Sequence, residues 1–181
     1  MLKHYVDEWP HRSEHSIELQ LPLMQFTIQN EFDIFPVLTG SMQSYVDGSK
    51  NIETDQELAD IVGNFKLVLE KFGGPHMIAA GADLAHIGEQ FGDSYRLDIT
   101  TLEESKSKDE ELLEHIANVD ADSFFGAIRQ EGDRRRICGL TPIYFQLKLL
   151  EGSTCKIADY KQWTDGKSSV SFAGGLFYNK K

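Results

Sequence analysis

Cysteine is nearly absent: Cys138 and Cys155 are the two in 181 residues, and they form no CxxC or CxxxC pair. The sequence therefore offers neither a zinc ribbon nor a disulfide framework, and in a reducing compartment both thiols stay free. Long apolar runs are also missing. None approaches the roughly 20 residues needed to cross a bilayer, and the opening MLKHYVDEWPHRSEHS lacks the hydrophobic core of a secretory signal. A cytoplasmic location is the expectation. Positive charge is scarce, with 18 Lys and Arg against 29 Asp and Glu, a net charge of −11. Such a surface repels phosphate backbones and anionic lipid, so no nucleic acid and no membrane partner is expected. There is no repeat of solenoid period and no low-complexity segment. The apolar content of 40% suffices for one core, and length argues for one domain over 1–181.

Within that frame, the stretch MIAAGADLAHIG, residues 77–88, stands out. Met77 to Ala80 read as a strand covered on both faces, as in the middle of an α/β sheet. Ligands of open α/β sheets bind beyond the carboxyl ends of strands, which makes Asp83 and His86 a candidate acid/base pair. Gly81 and Ala82 leave room for a backbone or ligand to approach. The alternative is structural: Asp83 caps a turn that His86 satisfies.

Around it, Ser13 opens a helix in SEHSIELQLPLMQF that Pro22 should kink. His15 and Glu18 fall three residues apart, hence on one helical face, as a hydrogen-bonded pair or part of a pocket wall. FDIFPVLTG, residues 32–40, predicts a strand with Pro36 at an edge or bulge. Thr54 and Glu57 form a capping box for a helix with Leu58, Ile61, Val62, Phe65 and Leu69 on one face, ended by Gly73, Gly74 and Pro75. Strand, helix and strand in that order predict a right-handed βαβ unit and a mainly parallel sheet. GEQFGDSYRLDITT is long enough for a lid or pocket rim. Thr101 and Glu104 cap a charged helix to about residue 118, with Asp109, Glu110 and Glu111 on its solvated face. Asp120 or Asp122 starts a short helix that docks Phe124, Phe125 and Ile128, and Arg134 to Arg136 read as an anion clamp or a solvated turn.

ICGLTPIYFQLKLLEG, residues 137–152, places Thr141 at an N-cap and Pro142 at the first helical position. Cys138 then lies just ahead of a helix N-terminus, where partial positive charge favours the thiolate that binds metals or attacks electrophiles. Its alternative is a small space-filling residue. The C-terminal part predicts a hairpin turning at Asp165-Gly166, with Val170, Phe172 and Leu176 inward and a bulge near Gly174 and Gly175. Cys155 is expected to be inert core.

EHSIELQLPLMQF, FDIFPVLTG, AAGADLAHIGEQFGD, ICGLTPI and SSVSFAGG, in that order, resemble the Memo-like family over residues 7–178. The resemblance implies an α/β fold similar to class III extradiol dioxygenases, in which iron held by two His and a carboxylate activates oxygen. It implies that Asp83 and His86 line the pocket, His86 in the place of the acid/base histidine, with Gly81 and Gly139 beside them, and that Cys138 stands at a metal-ligand position. Memo-like proteins carry two further histidine ligands in an N-terminal half with motifs resembling PHAGY and GPNH. This chain has neither, and His4, His11, His76 and His115 lie in no matching context. The ligand set for iron or copper is thus incomplete. A natural truncation, a split protein with a separate complementary N-terminal half, or a mis-set start codon each account for this, and a homodimer is a further way to cover an open sheet edge. Two functional readings follow. One is a non-catalytic binding or interaction module that retains part of the family pocket. The other is a metal-dependent oxidoreductase whose site is completed elsewhere.

Overall fold

Aspartates set the starts of the three well-capped helices. Asp55, Asp98 and Asp120 each accept the backbone N–H of the residue three further on, at 3.1, 2.8 and 2.9 Å, which satisfies one of the donors a helix start leaves unpaired. The computed structural model describes residues 9–179. It divides into two compact units, residues up to 40 and residues from 41 onward.

In the first unit, α1 runs from Ser16 to Thr27 straight through Pro22, with His15 at the N-cap. Ser13, the expected cap, lies outside it. Residues 32–40 form no strand. The apolar pattern of FDIFPVLTG indicates a segment suited to pairing, but a ladder needs a partner, and Pro36 has no N–H to give one. Phe35 stays 83% exposed and Ile34 48%.

In the second unit, α2 (Gln43–Val46) precedes α3 (Gln56–Phe72), which ends at Gly73 in the left-handed conformation as expected. The cap is Asp55, one residue past the expected Thr54. Residues 76–80 form no strand either. The carbonyl of Ile78 is held instead by the Gln146 side-chain amide at 2.9 Å. The first strand, β1, is His86–Gly88, followed by α4 (Ile99–Ala117), α5 (Ala121–Gln130), α6 (Leu140–Leu149), β2 (Thr154–Thr164) and β3 (Ser168–Tyr178). No helix among the described residues is long and apolar enough to cross a membrane.

The composition is mixed α/β, as the sequence indicates. The sheet has the order β1-β3-β2 and both its pairings are antiparallel. The expected βαβ unit and mainly parallel pairing are therefore corrected among the described residues, because neither apolar segment flanking α3 enters the sheet. The hairpin turns at Asp165-Gly166, and the register jumps between Ile157 opposite Gly175 and Asp159 opposite Gly174, so the extra residue of the bulge, Ala158, lies on β2. The inward face is the reverse of the expected one: Ser169 and Ser171 are buried while Phe172 and Leu176 are exposed. Alternation fixes two faces but does not say which is core, and one residue of slip exchanges them. The serines go inside because their hydroxyls are used there: Ser171 Oγ accepts from Ala85 N at 2.9 Å, and Ser169 Oγ donates to the Trp163 carbonyl at 2.7 Å.

The core lies among α4, α5, α6 and the sheet. Phe124, Ile128, Leu147 and Leu112 are at most 1% exposed, each such side chain contributing about 1.5–3 kcal/mol of burial. One ion pair is buried with them. Asp109, expected on a solvated face, is fully buried and paired with Arg135, which also binds Glu131. Tyr160 donates to its other oxygen at 2.9 Å.

Candidate functional site

Residues 83–86 are held as a ledge between two backbones. On one side Gly139 N donates to Asp83 O at 2.7 Å, Cys138 N to Leu84 O at 3.1 Å, and His86 N to Arg135 O at 2.7 Å. On the other, Leu84 N donates to Ser171 O at 2.8 Å and Ser171 N to Ala85 O at 3.0 Å. Leu84 and Ala85 point into the core. Gly139 permits this closeness, since a Cβ there would stand 2.8 Å from Asp83 O and 2.5 Å from Ile143 Cδ1. The ledge brings the backbones of Asp83, His86, Cys138 and Gly139 together, although the two segments are some fifty residues apart in sequence.

His86 does not follow a strand end; it is the first residue of β1. Its side chain is 18% exposed. Nδ1 lies 3.2 Å from the Leu84 carbonyl, which can only accept, so Nδ1 carries the proton. Nε2 lies 3.7 Å from Asp83 Oδ2, an ion-pair distance too long for a hydrogen bond. The neutral ring thus keeps Nε2 as its basic nitrogen, and a protonated ring gains the Asp83 carboxylate. Phe91 meets the imidazole edge-on, centroids 4.9 Å apart and planes at 88°.

Cys138 is exposed and directly precedes Gly139, the N-cap of α6. That helix starts at Leu140, so Thr141, the expected cap, is instead a buried first-turn residue. Gly81 is half-buried in the unpaired segment ahead of the ledge. His15 and Glu18 belong to the first unit, where both are exposed and His15 Nδ1 lies 3.7 Å from Glu14.

The arginine triplet is neither an anion clamp nor simply a solvated turn. Burial depresses the Arg135 guanidinium, but Glu131 and Asp109 more than offset this and raise it overall. Arg136 donates to Asp93 at 2.7 and 3.2 Å and to His86 O at 3.2 Å. That guanidinium, helped by the Gly88 N–H and Tyr95 hydroxyl, holds the Asp93 carboxyl down at about 2 against partial burial. Burial and the Asp93 charge push Tyr95 up to about 12. Phe91, Asp93 and Arg136 were not legible as neighbours of His86. The only sequence hint is the pair Gly88 and Gly92 bracketing a short aromatic turn.

The resemblance to the Memo-like family implies a metal. Among the described residues no three His, Cys, Asp or Glu side chains converge as a cation site. His86 has committed Nδ1 to a carbonyl, and Cys138 has no imidazole pair beside it. The residues present do not fit a complete iron or copper ligand set.

The profile of the family described as Memo-like protein matches residues 2–176. A MEMO1 family protein of Methanosarcina mazei is 29% identical over 157 residues, covering 85% of this chain and 49% of its own length. A Methanosarcina acetivorans MEMO1 family protein is 27% identical over 172 residues, 93% of this chain and 55% of its own. One from Saccharolobus islandicus is 29% identical over 165 residues, 91% and 49%. The chain spans about half the length of the curated relatives it matches.

Proposed function

This chain belongs to the Memo-like family, and from that premise we propose that it is a non-catalytic binding and interaction module retaining part of the family pocket. The observation that carries the reading is the open sheet. Among the described residues the eleven-residue strand β2 pairs on one side only, with β3, and the outward face of the hairpin leaves Trp163, Phe172, Leu176 and Tyr178 exposed. An open edge beside an apolar face invites a second polypeptide. The partner is a second copy of the chain or a polypeptide equivalent to the other half of the relatives, rather than nucleic acid or a membrane. The ledge residues Asp83, His86 and Gly139, with Gly81 nearby, form this module's share of the pocket.

A second reading rests on the ledge itself, which sets Cys138 on the backbone next to the Asp83–His86 pair. If another segment supplies the missing imidazoles, Cys138 becomes a ligand of iron or copper, and His86 becomes the general base with Asp83 as its counter-charge.

Size-exclusion chromatography with light scattering, run on the chain alone and mixed with the unmatched half of the Methanosarcina mazei relative, tests the first reading. The expected result is a mass of twice the 20.5 kDa chain or a one-to-one complex. A stable monomer in both runs refutes it. Stoichiometric iron or copper lost on Cys138→Ser replacement would favour the second.

A further inference from the structure

We propose that Phe91 and the Asp93–Arg136 pair are positioning residues that fix the His86 ring in one tautomer and one orientation. The inference rests on His86 being a pocket residue, and it adds the device that presents its Nε2.

The geometry is a clamp with two ends. The turn Glu89–Phe91 is a single 3-10 turn bracketed by Gly88 at φ 105° and Gly92 at φ 88°, backbone angles that side-chain-bearing residues rarely adopt. Its first two amides are tied to the hairpin turn, Glu89 N to Lys167 O at 3.2 Å and Gln90 N to Ser168 Oγ at 2.9 Å. Its far end is tied by Asp93. That carboxylate is 8% exposed and receives the Gly88 N–H at 2.8 Å, the Tyr95 hydroxyl at 2.8 Å and the Arg136 guanidinium at 2.7 Å. Arg136 also donates to the carbonyl of His86 itself. The two anchors therefore act on both partners of the ring contact: one holds the turn that carries Phe91, the other holds the backbone that carries His86.

Phe91 is then held at right angles against the imidazole. With the ring packed there and Nδ1 bonded to the Leu84 carbonyl, the nitrogen that faces Asp83 is Nε2. Without the aromatic stop, a half-turn about the Cβ–Cγ bond would put Cδ2 at the Leu84 carbonyl and Cε1 toward Asp83, and a ring without the Leu84 bond has nothing to hold the proton on Nδ1.

The test is long-range proton–nitrogen NMR of the imidazoles in the full chain at about pH 8, above the usual imidazole range, with His86→Gln identifying the signal. The wild-type protein is expected to show one tautomer, Nδ1 protonated and Nε2 bare. Phe91→Ala and Asp93→Asn are expected to show exchange between both, and Phe91→Tyr to restore the single form. In parallel, diethyl pyrocarbonate modification of His86 should rise roughly tenfold in the first two variants, equivalent to about 1.4 kcal/mol of lost closure. If Asp93→Asn does not fold, Arg136→Gln replaces it. A wild-type His86 that already samples both tautomers overturns the proposal, as does either variant that keeps the wild-type pattern. No partner or ligand is needed for this readout, so its failure is distinct from failure of the assembly experiment.

Discussion

Replacing Asp109 by alanine removes one carboxylate from a network that joins four parts of the second unit. Asp109 and Ser105 lie on α4, Glu131 follows α5, Arg135 lies in the loop that contacts the ledge, and Tyr160 is on β2. Arg135 donates to Asp109, to the Ser105 carbonyl at 3.1 Å and to Glu131 at 3.0 Å. Breaking a buried ion pair costs about 3–5 kcal/mol because the surviving charge is stranded. Glu131 still neutralises Arg135, which argues for about 3 kcal/mol, and the Tyr160 hydroxyl that loses its acceptor adds about 1. The expected loss is thus about 4 kcal/mol, which at roughly 2–4 °C per kcal/mol is a fall of about 8–16 °C in Tm. Urea unfolding followed by Trp163 fluorescence in a Trp9→Phe background reads the unit that holds the network. Asp109→Leu combined with Arg135→Met and Glu131→Gln should cost less than Asp109→Ala, since no member of the ion network is then left charged without its partner. A loss below about 1 kcal/mol for Asp109→Ala would refute the reasoning.

Two further outcomes follow from the loop around His86. The Asp93 carboxyl titrates at about 2 when folded against 3.8 unperturbed. A depressed folded value means its contribution is complete above the unperturbed value and is lost as pH falls toward 2. Unfolding midpoints measured from about pH 5 down to about pH 2 should therefore drop more steeply in the wild-type protein than in Asp93→Asn, which starts lower and lacks that titration. Gly88→Ala forces a Cβ to 2.3 Å from Lys167 O at φ 105° and should cost about 2–4 kcal/mol in urea unfolding, whereas Gly92→Ala, with open space around it, should cost about 1.

The helices were legible because their signals are local. The α3 stop at Gly73, the Asp120 cap and the inward Phe124, Phe125 and Ile128 need only a few neighbouring residues to specify them. Capping positions shifted by up to three residues, as at Asp98 in place of Thr101, where Thr101 is instead the residue whose N–H and hydroxyl the cap receives at 2.8 Å. Strands were less legible because pairing is non-local. Met77–Ala80 and residues 32–40 have the composition of strands, yet composition does not supply a partner, while His86–Gly88, only three residues long, pairs with β3. Buried charge was illegible for the same reason. Asp109 sits in an acidic run identical in character to its exposed neighbours, and what distinguishes it are Arg135 and Tyr160, 26 and 51 residues away. At the candidate site, Asp83, His86 and Cys138 stand out by residue type and motif, whereas Phe91, Asp93 and Arg136, which contact His86 or its backbone or brace the loop beside it, are brought there only by the folded chain.

The ledge has a consequence for how the chain is made. Ala85 N is satisfied by Ser171 Oγ, 86 residues later, and β1 has no ladder until β3 exists. On a ribosome adding roughly 5–20 residues per second, that is an interval of about 4–17 s during which α3 to α6 can gather but His86 has no strand to join. The candidate site is therefore among the last parts of the molecule to acquire its shape, and it depends on the C-terminal hairpin arriving intact.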